Sequence, residues 1–239
     1  MKVLIKKATV VSPASAFHGK IKDILIENGI ITIIDDGLEI DTESVIDIPG
    51  LNVSVGWMDC FANFCDPGEE FKETLESGAK AAAAGGYTEV MLIPNTSPVV
   101  SNKSQVEYLT EKGKMLPVTI HPIGTITKNA EGKELSEMID MFNSVAVAFS
   151  DGINPVQSSG ILQKSLEYLV AINGTIIQLP DDKNIGTHGL MNEGAVSTRL
   201  GLQGKPALSE ELMIARDIER ARYTNSKIHF TGISIKYSW

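Results

Sequence analysis

Apolar runs and helix-forming segments alternate along the chain after residue 50. Residues 53–64 form an apolar run that predicts a buried strand, and a turn at 66–68 precedes an Ala- and Glu-rich segment that predicts a helix over about 70–84. Two glycines favour the end of that helix, and residues 87–93 then predict a second buried strand. This order, with apolar strands, is typical of a parallel βαβ unit.

The alternation continues beyond this unit. Further helices are predicted near 103–114, 132–142, 161–172 and 209–224, and further strands at 118–123, 145–149, 175–178 and 228–233. A long polar loop covers 179–207. The first fifty residues differ, because they contain only short β segments, at 3–5, 9–11, 24–26, 30–34 and 45–48, with a hairpin turn at 27–29. The pattern predicts an α/β chain with a β portion over 1–50 and six alternating strands over 51–239.

Several short motifs lie on this pattern in a fixed order. They are Asp59 with Asp66-Pro67-Gly68, the segment 77–86 (SGAKAAAAGG), Pro94-Asn95-Thr96, Phe149-Ser150-Asp151, the segment 189–194 (GLMNEG) and the segment 210–217 (EELMIARD). Together they closely resemble the dihydroorotases, which are cyclic amidohydrolases. The resemblance extends over nearly the whole chain.

The resemblance implies a (β/α)8 barrel with a small β-sandwich built from both ends of the chain. Such a barrel needs eight strands and typically about 250 residues, whereas the pattern here supplies six strands. We therefore expect an incomplete TIM-like amidohydrolase barrel of about six strands with a small N-terminal β-sandwich portion, either as a truncated chain or as an open barrel. Residues 235–239 end where the family's next helix is expected to begin.

Composition narrows the class of protein. The chain has 239 residues, of which 43% are hydrophobic, which is enough for one sizeable core. A formal charge of −9 without basic clusters argues against nucleic-acid binding. Two cysteines suit a reducing compartment, and no apolar stretch is long enough to cross a membrane. We expect a cytoplasmic protein that binds neither nucleic acid nor membrane.

The resemblance also implies a zinc site, where the metal polarises an amide carbonyl and generates hydroxide from water. The family's His-x-His falls on Phe61 and Asn63, and two later histidines fall on Gln178 and Gly232. A phenyl ring and a glycine offer no ligand atom, and a carboxamide oxygen is a poor zinc ligand. Asp151 alone matches a family ligand of suitable chemistry, and the family's proton-carrying aspartate would fall beyond residue 239. We expect no bound zinc and no zinc-dependent hydrolysis.

Some of the positions that lie beside the substrate in the family keep the family's residue. The family's arginine that binds the substrate carboxylate falls on Cys65, whereas Asn95 and Asn192 match family positions in the loops around the site. Two interpretations stay open. The asparagines hold their loops through backbone hydrogen bonds, as asparagine often does in turns, or they retain binding of a carboxylated ligand.

Other candidate residues have ordinary structural interpretations. We expect His121 and His229 to be structural residues of strands and His188 to be a solvated loop residue. A new metal site built from Cys60, Cys65 and His188 is the competing idea, but strand alternation directs Cys60 away from Phe61 and Asn63.

Two functional hypotheses follow. In the first, the chain is a non-catalytic dihydroorotase homologue of pyrimidine biosynthesis and a structural partner of aspartate carbamoyltransferase. The resemblance implies this role, because relatives in the family that lack the metal ligands are structural partners of that enzyme. In the second, it is an active cyclic amidohydrolase that opens the ring of dihydroorotate with replacement metal ligands at Asn63, Asp151 and Gln178. We also expect self-association, because an open barrel leaves two strand edges unpaired.

Overall fold

The structure is a computed structural model that describes residues 1–235. It divides into two compact units, Met1–Gly56 and the chain from Trp57 onward. The first unit extends past residue 50, because a short strand at Asn52–Ser54 pairs with the first strand of the chain. Residues 236–239, where we expected a helix to be cut short, lie outside the described residues.

The first unit is one five-stranded sheet. Its strands are β1 (Lys2–Val11), β2 (Ile21–Glu27), β3 (Ile30–Asp35), β4 (Ser44–Asp47) and β5 (Asn52–Ser54). The predicted hairpin is present, with Asn28 and Gly29 both at positive φ between β2 and β3. Strand β1 is central, since it pairs antiparallel with β2 and parallel with β4 and β5.

The second unit alternates strands and helices, as predicted. Its elements are β6 (Trp57–Ala62), α1 (Leu75–Ala84), β7 (Tyr87–Leu92), α2 (Lys103–Gly113), β8 (Thr119–Gly124), α3 (Met138–Asn143), β9 (Ala148–Phe149), α4 (Ser159–Val170), β10 (Thr175–Gln178), β11 (Met191–Asn192), α5 (Ala195–Leu200), β12 (Gly204–Lys205), α6 (Leu208–Thr224) and β13 (Lys227–Phe230). Six of the strands form one parallel sheet in the order β13-β10-β9-β8-β7-β6. The prediction of an incomplete (β/α) barrel of six strands is confirmed.

Two apolar clusters cover the faces of this sheet. The larger cluster lies between the sheet and the helices and contains Phe149, Leu162 and Leu166, all fully buried. The smaller cluster, which we call the interior cluster, contains the buried residues Ile93, Ile123, Ala148 and Ile177, with Phe61 and Met91 packed against it. Because residues alternate between faces along a strand, membership of a cluster shows which way each strand residue points.

Several predicted boundaries were wrong for identifiable reasons. The helix predicted from residue 70 begins at Leu75, because Thr74 caps it: its hydroxyl accepts from the Ser77 backbone N–H at 3.1 Å. The helix predicted over 132–142 is confined to Met138–Asn143, because the preceding loop is held to the neighbouring strand ends by hydrogen bonds. The run at 53–64 is split between two strands that belong to different units.

Candidate functional site

Most of the predicted site residues lie at the carboxyl ends of the parallel strands or in the loops that follow these ends, where ligands bind in α/β barrels. We call this set of loops the rim. Hydrogen bonds join the rim loops in series. These bonds run from Ser97 N–H to Pro67 C=O (2.9 Å), from Thr125 N–H to Val100 C=O (2.9 Å), from Ile153 N–H to Asn95 Oδ1 (3.0 Å), from Thr127 N–H to Asp151 Oδ1 (2.9 Å) and from Lys183 N–H to Gln157 Oε1 (2.9 Å).

Phe61 lies near the end of β6, and Asn63 follows the last residue of that strand. Phe61 packs against the interior cluster, so its ring fills apolar space. The Asn63 side chain is occupied locally, since its Oδ1 accepts from the Cys65 backbone N–H at 3.0 Å. Cys65 is buried, with a backbone φ of 58°. A buried thiol cannot replace the charged fork that arginine offers to a carboxylate.

Asp151 follows β9 and is almost completely buried, at 1% exposure. Its Oδ1 accepts from the backbone N–H groups of Ile126 and Thr127, both at 2.9 Å, and its Oδ2 accepts from the Thr127 hydroxyl at 2.5 Å. Burial raises the pKa of this carboxyl from 3.8 to about 6, and the hydrogen bonds from Thr127 and Ile126 oppose that rise. The retained acidic residue therefore holds the loop that follows β8.

Asn95 bridges two rim loops. Its Nδ2 donates to the Asp151 backbone carbonyl at 3.1 Å, and its Oδ1 accepts from the Ile153 backbone N–H at 3.0 Å. Between these two contacts lies Gly152, at a φ of +61°, where a Cβ atom would fall 1.6 Å from the Asn95 Oδ1. Only glycine allows this approach. Both ends of the carboxamide bind backbone, which favours the loop-holding interpretation of Asn95.

Gln178 does not join the other predicted ligand positions. Its Nε2 points to the helix side of the sheet, where it lies 3.3 Å from Asp217 Oδ2 of α6 and 3.4 Å from the Val156 carbonyl. Asp217 is fully buried, and its Oδ1 accepts from Arg216 Nε at 2.6 Å. Burial raises the pKa of Asp217, and the contacts with Arg216 and Gln178 oppose the rise. Gln178 is thus part of the contact between α6 and the sheet.

Gly232 follows β13 and shares a cavity of about 170 Å3 with the loop after β10. Asn192 also lines that cavity, and its Nδ2 lies 3.4 Å from the Ser234 hydroxyl. Ser234 in turn donates from its hydroxyl to Glu210 Oε2 at 2.8 Å. The two retained motifs, around Asn192 and around Glu210, therefore meet at the end of β13.

The remaining candidates stay apart from these residues. His121 lies on β8, and its Nε2 is 2.7 Å from Glu89 Oε2 of β7. His188 is exposed in the long loop, and Cys60 is a free, partly buried thiol. Within residues 1–235 no three histidine, cysteine, aspartate or glutamate side chains converge in a way that could hold a metal ion.

These side chains do not fit zinc. The positions that correspond to imidazole ligands carry a packed ring, a carboxamide whose oxygen accepts locally, and a glycine. The one carboxylate, Asp151, accepts three hydrogen bonds from the protein. Zinc sites need nitrogen, sulfur or carboxylate donors arranged around a common point, and the donor set here does not provide one.

Several residues that shape the site were not identified from the sequence. Thr127 and Gly152 hold the rim loops together, and no short motif marks them, because their partners lie more than twenty residues or a strand away. Leu179, which lines the cavity shared with Gly232, was missed because both faces of the four-residue strand before it are buried. An alternation of polar and apolar residues could have shown the direction of each side chain, but β10 has none.

Comparison with solved structures defines the class of protein to which this fold belongs. An L-hydantoinase (dihydropyrimidinase) from Arthrobacter aurescens superposes with a TM-score of 0.74 at 19% identity, covering 95% of this chain and 52% of that chain. A D-hydantoinase superposes with a TM-score of 0.76 at 18% identity, over 100% of this chain and 53% of the other. The second unit therefore has the amidohydrolase-type (β/α) barrel fold.

Sequence comparison gives the family within that class. The family model described as "Dihydro-orotase-like" matches residues 52–238. A dihydroorotase from Pelotomaculum thermopropionicum is 42% identical over 238 residues, and one from Aquifex aeolicus is 36% identical over 239. This chain belongs to the dihydroorotase-like family. It spans about half the length of the curated relatives it matches, 55% and 56% of these two.

Proposed function

We propose that this chain is a non-catalytic dihydroorotase-like protein of pyrimidine biosynthesis, located in the cytoplasm, that acts as a structural partner of aspartate carbamoyltransferase. The proposal is based on one observation. At the rim, the retained side chains of Asn95 and Asp151 bind the protein's own backbone, and the positions of the family's histidine ligands carry no imidazole. Residues that hold loops are retained while residues that would serve only chemistry are replaced.

The hydrogen bonds of the rim support a binding role. Asn95, Asp151 and Gln157 each join one loop to the next, so the loops form a connected surface before any partner arrives. A surface that is ordered in advance loses less conformational entropy on association. The family's substrate-side residues therefore contribute to the shape of the rim.

The alternative is an active cyclic amidohydrolase with metal bound by Asn63, Asp151 and Gln178. It is not favoured, because Gln178 is bound to Asp217 on the helix side and the Asn63 oxygen accepts from the Cys65 backbone N–H. Asp151 likewise accepts three hydrogen bonds from the protein, whereas zinc needs donors that are free to converge on one point.

Metal content and turnover test the proposal directly. The purified chain is exposed to excess zinc, freed of unbound metal and analysed by elemental mass spectrometry, and opening of the dihydroorotate ring is followed spectroscopically. The 42% identical Pelotomaculum dihydroorotase is the positive control. We expect less than about 0.1 zinc per chain and no turnover above buffer, since no complete ligand set is present. Stoichiometric zinc with turnover would refute the non-catalytic role.

The partner is tested separately. The purified chain is mixed with aspartate carbamoyltransferase from the same source, and sedimentation velocity is measured for each protein and for the mixture. We expect a new, faster species that contains both proteins. Sedimentation of the mixture as the sum of its components would reject the partnership and leave the prediction of inactivity intact. The chain measured alone tests self-association through the edge strands β6 and β13, for which we expect a species larger than a monomer.

A further inference from the structure

Leu179, the residue directly after β10, lines the rim cavity. Ile176 packs in the helix-side cluster and Gln178 binds Asp217 on the same side, whereas Ile177 belongs to the interior cluster. Leu179 comes next, and it lines the cavity that Gly232 also lines. The strand therefore presents Leu179, and not Gln178, to the end of β13.

Leu179 and Gly232 lie too close together for both to carry side chains in their present arrangement. A Cβ atom built on Gly232 would fall 2.5 Å from Leu179 Cδ1. Carbon atoms in contact prefer separations of about 3.5–4.0 Å, so this distance is a strong overlap. Gly232 also has a φ of +67°, which adds a separate backbone cost for any other residue.

The backbone on both sides of this contact is held in place. Thr231 donates its N–H to the Gln178 carbonyl at 3.1 Å, which continues the pairing of β10 with β13. Ser234 donates its N–H to Glu210 at 3.1 Å, and Pro180 follows Leu179 directly and restricts its backbone. Relief of an overlap at position 232 must therefore come from displacement of the Leu179 side chain.

We infer that Leu179 and position 232 form a coupled steric pair, in which the Leu179 side chain occupies the space into which a side chain at 232 would project. A metal ligand introduced at 232 would have to displace Leu179. The pair rests on the proposed non-catalytic role and deepens it, because a ligand restored at 232 would also require the Leu179 side chain to move.

A double-mutant cycle on the full chain tests this coupling. The variants are Leu179→Ala, Gly232→His and the double substitution, and urea midpoints are measured by circular dichroism. Gly201→His, made in both backgrounds, is the matched control, because Gly201 has a similar φ of +64° and no heavy atom within 4 Å of a Cβ built there. The control measures the free-energy cost of placing histidine at a positive φ without the steric overlap, so that the two contributions can be separated.

We expect Gly232→His to lower the urea midpoint more than Gly201→His in the parent chain, and by the same amount as the control once Leu179 is alanine. Failure of Gly232→His to fold, with folding restored in the double variant, also supports the pair. Equal shifts in both backgrounds, or a double variant that does not fold although Leu179→Ala does, would overturn it. If Leu179→Ala itself does not fold, Leu179→Val replaces it, since valine lacks the contacting Cδ1 atom.

Different measurements would refute the non-catalytic role and the coupling of positions 179 and 232. Zinc and turnover in the unmodified chain decide the non-catalytic role, whereas the cycle reports only on the contact between positions 179 and 232.

Discussion

Asp151→Asn gives the sharpest test of what the retained acidic residue does. The substitution keeps an oxygen that accepts from the backbone N–H groups of Ile126 and Thr127, and it removes the ability to ionise. Because burial raises the pKa of Asp151 from 3.8 to about 6, the folded chain binds this proton more tightly than the unfolded chain does. The stabilisation from the bound proton is complete below about pH 4 and is lost as the pH rises through about 6.

The size of this effect follows from the pKa values. A rise from 3.8 to about 6 corresponds to about 3 kcal/mol, at about 1.4 kcal/mol per pH unit. The free energy of unfolding of the variant minus that of the parent should therefore rise by up to about 3 kcal/mol between pH 4 and pH 7. Other carboxylates titrate in both proteins, so their contributions largely cancel in the difference.

The assay is urea unfolding of both proteins at half-unit steps from pH 4 to pH 7, followed by circular dichroism. Asp140→Asn, at an exposed aspartate of α3, is the control with the same change of chemistry, and the difference for Asp151→Asn should rise more steeply than that for the control. A difference that falls with rising pH would refute the reasoning, because it would mean that the charged form of Asp151 is stabilised. A bound cation at this carboxylate would produce that result.

Three further substitutions test other contacts. Asn95→Ala should lower the free energy of unfolding by about 1–2 kcal/mol in urea titrations, because it removes the two hydrogen bonds that join the loops after β7 and β9. An unchanged midpoint would contradict the loop-holding role. Gln178→Ala should lower the free energy of unfolding by about 1–3 kcal/mol in the same titrations, since it removes a donor to buried Asp217. An unchanged midpoint would count against the placement of Gln178 on the helix side. Leu166→Ala should cost about 2–5 kcal/mol in the same titrations, because Leu166 is fully buried between α4 and the sheet, and a cost below 1 kcal/mol would mean that the core is not packed as described.

The order of elements in the second unit was predictable because its signals are local. Apolar runs and glycines at helix ends depend on neighbours in sequence, and they predicted the number and order of the six parallel strands correctly. The loss of imidazole ligands at Phe61, Asn63 and Gly232 could also be predicted, because it depends only on which atoms a side chain has. The boundary at residue 70 was wrong because the cap at Thr74 was not recognised, and the boundary at 132 was wrong because hydrogen bonds to residues distant in sequence hold the loop before α3.

The sequence by itself determined that the chain alternates strands with helices and that the positions of the family's histidine ligands carry no imidazole, because periodicity and side-chain chemistry are properties of short segments. Only the tertiary structure decided that Gln178 binds Asp217, that Leu179 meets Gly232, and that Asp151 and Asn95 hold loops. A strand that is buried on both faces has the same apolar pattern whichever way it points. The direction of its side chains, and the partners they reach across the sheet, depend on contacts between residues far apart in the chain.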